Sequence, residues 1–103
     1  MRIMQKGYTV VLSPDPEGPW TAVCPAMPGA IAEADSRERL LAVMADVMVS
    51  WLAVASSDGY GPLSETPELV AAKVAEVLAD RAAEGWDLVV ETTVLGPRAA
   101  VAA

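Results

Sequence analysis

The side chains best suited to chemistry in this sequence are carboxylates close to the predicted strand ends. Asp15 and Glu17 lie in a turn, and Glu33 and Asp35 lie where a short strand gives way to a helix. Nucleases that attack phosphate hold divalent metal ions with carboxylates clustered on strands. The first strand carries no acid, so we interpret these four residues as a solvated acidic edge and keep a metal-dependent nuclease as an alternative.

Other catalytic groups are missing from the sequence. There is no His, which removes the commonest general base and the commonest metal ligand. The single Cys24 can form neither an internal disulfide nor a multi-cysteine metal site, and we interpret it as a small buried hydrophobe. The serines of Ser56-Ser57-Asp58-Gly59 have no accompanying base. We therefore predict no enzyme activity, no metal site and no cofactor.

Length, composition and charge limit the classes of function. The 103 residues, 53% of them apolar, suit one domain at 1–97 with a flexible tail at 98–103. Seven Lys and Arg against fourteen Asp and Glu give a net charge of −7, which argues against direct nucleic-acid binding. The acidity suits either a basic protein partner or simple solubility.

The sequence shows no targeting segment. The N-terminal apolar run is too short for a signal peptide, and no apolar run approaches the roughly 18 to 20 residues that a membrane span needs. We therefore expect a cytoplasmic protein without membrane contact.

Three short strands are predicted before the first helix. Residues 8–13 and 20–24 alternate between two faces and are joined by a Pro/Asp/Gly turn, which predicts an antiparallel hairpin. Pro25 and Pro28 end the second strand because proline cannot donate to a strand ladder, and Gly29 permits the turn. Residues 30–34 are predicted as the third strand.

Two helices follow. We predict the first from Ser36 to about Ala55, with Asp35 as its N-cap. Its second face is weakly polar and includes Val49 and Ala53, so either the second helix or another subunit should cover it. Thr66-Pro67-Glu68 is typical of a helix start, and Gly85 indicates the end of that second helix.

The remaining segment, 86–95, is rich in β-branched residues and is predicted as the last strand. Glu91 within it should face solvent or pair with a cation. The order β-β-β-α-α-β predicts an α+β fold, a mostly antiparallel sheet with both helices packed on one face. We expect the last strand to pair in parallel after the two helices.

The order of these motifs resembles the HicB-like antitoxin family over residues 6–55. The resemblance rests on a strand of the type Tyr-x-Val-x-Leu (Tyr8–Leu12), an acidic turn (Asp15–Gly18), an aromatic-bearing strand (Trp20–Val23) and a Pro-x-x-Pro-Gly corner (Pro25–Gly29). It implies a degenerate, RNase H-like fold without nuclease activity, which binds and neutralises a small, basic, RNA-cleaving HicA-like toxin. Few residues follow the last strand, so the resemblance extends to the toxin-facing domain and not to a DNA-binding module.

Besides the nuclease alternative, two non-enzymatic functions remain open at this point. In the first, the protein is a toxin-binding module whose partner-binding residues are Asp15, Glu17, Glu33, Asp35 and the loop residue Tyr60. In the second, it is an orphan member of the same fold that has lost its toxin and acts as a homo-oligomer, a dimer or tetramer. Its subunits would meet through Val49 and Ala53 of the first helix. We interpret Trp20 and Trp51 as core residues in both cases.

Overall fold

Alternation of apolar and polar residues builds a four-stranded sheet flanked by two long helices. The computed structural model describes residues 7–97, so the predicted tail at 98–103 lies outside the described residues. The elements are β1 (Tyr8–Ser13), β2 (Trp20–Val23), β3 (Ile31–Ala34), α1 (Arg37–Asp58), α2 (Pro67–Ala83) and β4 (Glu91–Leu95). The α+β class and the predicted element order are confirmed.

All strand pairs in the sheet are antiparallel, in the order β3-β2-β1-β4. The prediction that the last strand pairs in parallel is therefore wrong. The reason is geometric: β3 runs in the same direction as β1, and each of the two helices then crosses the length of the sheet once. Two crossings return the chain to the end where β3 finished, so β4 runs opposite to β1.

The two helices lie on opposite faces of the sheet. Even-numbered residues of β1, such as Val10 and Leu12, join Leu40, Met44 and Met48 of α1 in the buried core. The odd-numbered residues of β1 and β2 face α2, with which they line a cavity. The prediction of both helices on one face is wrong, because α1 alone fills the first face and the chain then passes around the end of the sheet.

The opposite placement excludes α2 as the cover of the outer side of α1. Because α2 lies across the sheet from α1, it does not cover the outer side of α1 as one sequence interpretation allowed. Ala53 and Val54 are exposed there, and Val49 is half-buried. The second interpretation, another subunit, remains a prediction.

Local caps explain where the helices begin and end. Ser36, not Asp35, is the N-cap of α1, and its hydroxyl accepts a hydrogen bond from the backbone N–H of Arg39. The helix continues past the predicted end at Ala55 to Asp58, where Gly59 adopts a left-handed conformation with φ 87°. Thr66 caps α2 as predicted, accepting from the N–H of Leu69 at 3.1 Å.

The Pro25–Gly29 corner is tied to the rest of the fold by backbone and indole hydrogen bonds. The Nε1 of Trp51 donates to the carbonyl of Pro28 at 2.9 Å, and the N–H of Leu63 donates to the carbonyl of Ala26 at 2.8 Å. Trp20 and Trp51 both pack partly buried against the core, which confirms their prediction as core residues.

By length and composition, α1 is apolar enough to cross a membrane, since its mean hydropathy reaches 1.8 over 18 residues, of which 28% are buried. Core helices of soluble proteins pass the same test. In this fold the most apolar side of α1, with Leu40, Met44 and Met48, is packed against the sheet.

Candidate protein-binding surface

Four of the predicted partner-binding residues lie at one end of the sheet, which we call the acidic end (Asp15, Glu17, Glu33 and Asp35). The β2–β3 register pairs Trp20 with Ala34, so the β1–β2 turn and the end of β3 are neighbours. Glu17, Glu33 and Asp35 are exposed, and Asp15 is half-buried. The acids that sequence reasoning grouped as an edge are therefore grouped by the topology as well.

Asp15 has a structural role within this end. Its Oδ1 accepts a hydrogen bond from the backbone N–H of Glu17 at 2.8 Å, which closes the turn between β1 and β2. A Cβ atom on Gly18 would lie 3.1 Å from Oδ2 of Asp15, so the carboxylate sits close over the glycine. The neighbouring Glu17 projects from the turn and is the acid more accessible to a partner.

Helix α2 brings further acids to the same end, none of which was among the predicted partner-binding residues. Glu76, Asp80 and Glu84 recur at four-residue spacing and therefore share one side of the helix. They line a cavity of about 420 Å³ whose opposite wall is the second face of the sheet, with Val23 and Ile31. The four-residue spacing was the sequence signal that could have identified them.

Arg81 anchors α2 at this end and was also missed. It is 4% exposed. Its Nη1 donates to the hydroxyl of Ser13 at 2.7 Å and to the carbonyl of Pro14, and its Nε donates to the carbonyl of Asp87 at 2.6 Å. The guanidinium also lies 5.5 Å from the ring centre of Trp86. Its charge is directed inward and does not offset the surface acids by direct pairing.

Few cations in the described range are available to neutralise the acids. Residues 7–97 contain four basic side chains and all fourteen carboxylates. Arg37 pairs with Glu91 and Lys73 pairs with Glu76, while Arg81 is buried. Arg39, the fourth basic side chain of residues 7–97, forms no ion pair with another described residue, so the carboxylates remain in large excess.

Glu91 confirms the expectation that it faces solvent or pairs with a cation. The carboxylate of this β4 residue accepts from Nε of Arg37 at 2.8 Å, which links the start of β4 to the first turn of α1. The hydrogen bond from Arg37 lowers the pKa of the Glu91 carboxyl below its usual range. The pair is largely exposed and serves as a surface link between β4 and α1.

Tyr60 lies away from the acidic end. It follows α1, whose 22 residues span about 33 Å from the end of β3. Its ring stands edge-on to Trp51, with centroids 5.8 Å apart, and it is 54% exposed. The five candidate partner-binding residues therefore form one acidic group and one separate aromatic position.

Cys24 is buried beside the corner, as its apolar strand predicted. Burial raises the pKa of its thiol, and hydrogen bonds from the backbone of Ala26 and Met27 act in the opposite direction to a smaller extent. A buried thiol held in its neutral form is a poor nucleophile. The buried position of Cys24 is that of a residue that packs in the core.

Among residues 7–97, no group of three or more Asp, Glu or Cys side chains is arranged to hold a metal ion. The acidic end is a dispersed charged surface, and such a surface can attract a basic macromolecule. Comparisons with protein-family models, with curated proteins and with solved structures returned no match to this chain.

Proposed function

We propose that this chain is a non-enzymatic, protein-binding module of the HicB-like antitoxin type, with an RNase H-like fold, that acts in the cytoplasm. Its partner would be a small, basic, RNA-cleaving toxin, which it would neutralise sterically by covering the active site. The observation that carries the proposal is the acidic end, where Glu17, Glu33 and Asp35 are exposed together. When a negative surface such as this one meets a positive surface on a partner, the attraction speeds the encounter of the two proteins and orients them.

The motif order in residues 6–55 supports the same proposal, because the acidic turn and the Pro-x-x-Pro-Gly corner are the features shared with the family. The corner is a structural element, tied to α1 by Trp51 and to the following loop by Leu63. In the acidic turn, the acidic side chain exposed to a partner is that of Glu17.

Charge reversal tests the proposal. The basic protein encoded beside this gene is co-expressed with the full chain, and co-purification and growth are measured. We expect the double variant Glu33→Lys/Asp35→Lys to lose binding and growth rescue. The matched control Asp46→Lys/Asp58→Lys changes the net charge equally on α1, away from the acidic end, and should retain both.

Two outcomes would contradict toxin binding. One is the absence of any small basic protein that co-purifies. The other is equal loss of binding in both charge-reversed variants, which would indicate that only the overall charge matters and that the acidic end has no special part.

The side of α1 that residues 7–97 leave uncovered favours a second candidate, a homo-oligomer of the same fold without a toxin. Val49 and Ala53 lie there, next to Val54, which is 57% exposed. Burying such positions against a second copy would remove apolar surface from water. Sedimentation equilibrium of the wild type and of Val49→Lys tests this candidate, since the lysine should dissociate an α1-mediated oligomer and a monomeric wild type would rule it out.

A further inference from the structure

Strand β4 forms one edge of the sheet that residues 7–97 describe, and this edge has features that suit pairing with another strand. Strand β4 is the last strand of the sheet, and within residues 7–97 it pairs on one side only, with β1. Thr92 is exposed and Val94 is 69% exposed, while Leu88 and Val89 just before the strand are 61% and 53% exposed. This edge combines unpaired backbone groups with exposed apolar side chains.

The direction of the free backbone groups follows from the geometry of β1. The N–H of Thr9 donates to Oε1 of Glu65 at 2.7 Å, so it points away from β4. In an antiparallel ladder, Thr9 and its partner Val94 then form a pair without mutual hydrogen bonds. The outward N–H and C=O groups of β4 are consequently those of Thr92 and Val94.

These outward groups are arranged so that the strand complements itself. A two-fold axis at Thr93 would place Thr92 of one copy opposite Val94 of the other, and the reverse. Each such pair would exchange two backbone hydrogen bonds, as in any closely spaced antiparallel pair. The same register places Glu91 opposite Leu95, so that no two carboxylates face each other.

The two edge strands of the sheet, β3 and β4, differ in their charged residues. In β3 the exposed Glu33 stands in the middle of a four-residue strand, and an exposed charge of this kind discourages edge-to-edge pairing. In β4 the single charge, on Glu91, is paired with Arg37 of its own chain. The strand has no Lys or Pro, the residues that commonly protect an edge.

From these observations we infer that β4 is a self-association edge, through which two copies of this chain form one continuous eight-stranded antiparallel sheet. The occupant is a second copy because the register satisfies the outward groups of both strands at once and opposes no like charges. The contact involves neither the α1 surface nor the four residues of the acidic end.

The test combines mass with backbone protection. Sedimentation equilibrium of the full chain should give twice the monomer mass. The amides of Thr92 and Val94 should be protected from hydrogen exchange in a concentration-dependent manner. Thr92→Pro removes an outward N–H without touching the ladder to β1, and proline is tolerated at such edge positions. We expect it to weaken the dimer by about tenfold or more, since each dimer loses two hydrogen bonds and the rings obstruct the approach.

Val94→Lys supplies a second variant that keeps every backbone donor, and it too should yield a monomer. Val54→Lys, at an apolar position of similar exposure on α1, is the control and should remain dimeric. A wild type that stays monomeric would overturn the inference, whether or not it captures a strand from another protein. A dimer with unprotected Thr92 and Val94 amides, or one dissociated by Val49→Lys and not by Thr92→Pro, would overturn it as well.

Discussion

The carboxylate of Glu65 holds both polar groups of Thr9 that face it, although the two residues are 56 positions apart. The backbone N–H of Thr9 donates to Oε1 at 2.7 Å, and the hydroxyl of Thr9 donates to Oε2 at 2.9 Å. Glu65 lies just before α2, so this pair fixes the start of α2 to the start of β1. It also occupies the backbone donor that β2 leaves unpaired, because the β1–β2 register begins at Val11.

Glu65→Ala should therefore lower the free energy of unfolding by about 1 kcal/mol, the scale of a hydrogen bond in an exposed setting. Glu65→Gln retains an acceptor for the N–H of Thr9 and should lose less. Urea unfolding of the three proteins gives the comparison. Equal stability of the alanine variant and the wild type would show that water replaces the carboxylate without cost.

Arg81→Ala should be the more damaging substitution. It removes a buried guanidinium that bonds the hydroxyl of Ser13 and two carbonyls, and leaves those groups without their donor. We expect a loss of about 1.5–3 kcal/mol in the free energy of unfolding, the range for hydrogen bonds to charged groups. Arg39→Ala, at an exposed position in the first turn of α1, is the control and should unfold like the wild type.

The Arg37–Glu91 pair should produce a small dependence of stability on pH. The folded-state pKa of Glu91 is lowered, so its contribution is present above the ordinary glutamate pKa and is lost as pH falls through the lowered value. Glu91→Gln should flatten this part of the curve of Tm against pH. High salt should weaken the dependence in the wild type, because both side chains are exposed. An unchanged curve in the variant would contradict this.

Cys24 should react slowly with iodoacetamide in the native protein and rapidly in denaturant. Burial restricts access and raises the pKa of the thiol, so little thiolate forms near neutral pH. Since the pKa is raised, the stabilising contribution is complete below the ordinary thiol pKa and is lost as pH rises through the raised value. Mass spectrometry of timed samples follows the labelling, and rapid native-state labelling would show that the corner opens.

Local signals in the sequence were sufficient to predict most of the helices and strands. The alternation in Tyr8–Ser13 predicted β1, and Thr66 with Pro67 predicted the start of α2 to the residue. The acidic end could also be anticipated, because its acids sit in the turn and at the end of the strand that a hairpin brings together.

The arrangement of the helices could not be predicted in the same way. The half-buried apolar residues of α2, such as Val70 and Val77, suit either face of the sheet. The face is selected by contacts between residues distant in sequence, with Glu65 reaching Thr9 and Arg81 reaching Ser13. The last strand was predicted from Trp86 but begins at Glu91, for a related reason. Residues of β1 pair only with Glu91–Leu95.

The position of the core along the chain has a consequence during synthesis. The buried cluster extends from Tyr8 to Met48, so β1, β2, β3 and α1 can pack while the remainder is still being translated. One edge of β1, from Tyr8 to Leu12, has no pairing strand until β4 is synthesised, more than seventy residues later. A nascent chain therefore exposes an open strand edge over that interval, the state in which chains on neighbouring ribosomes are most prone to pair with each other.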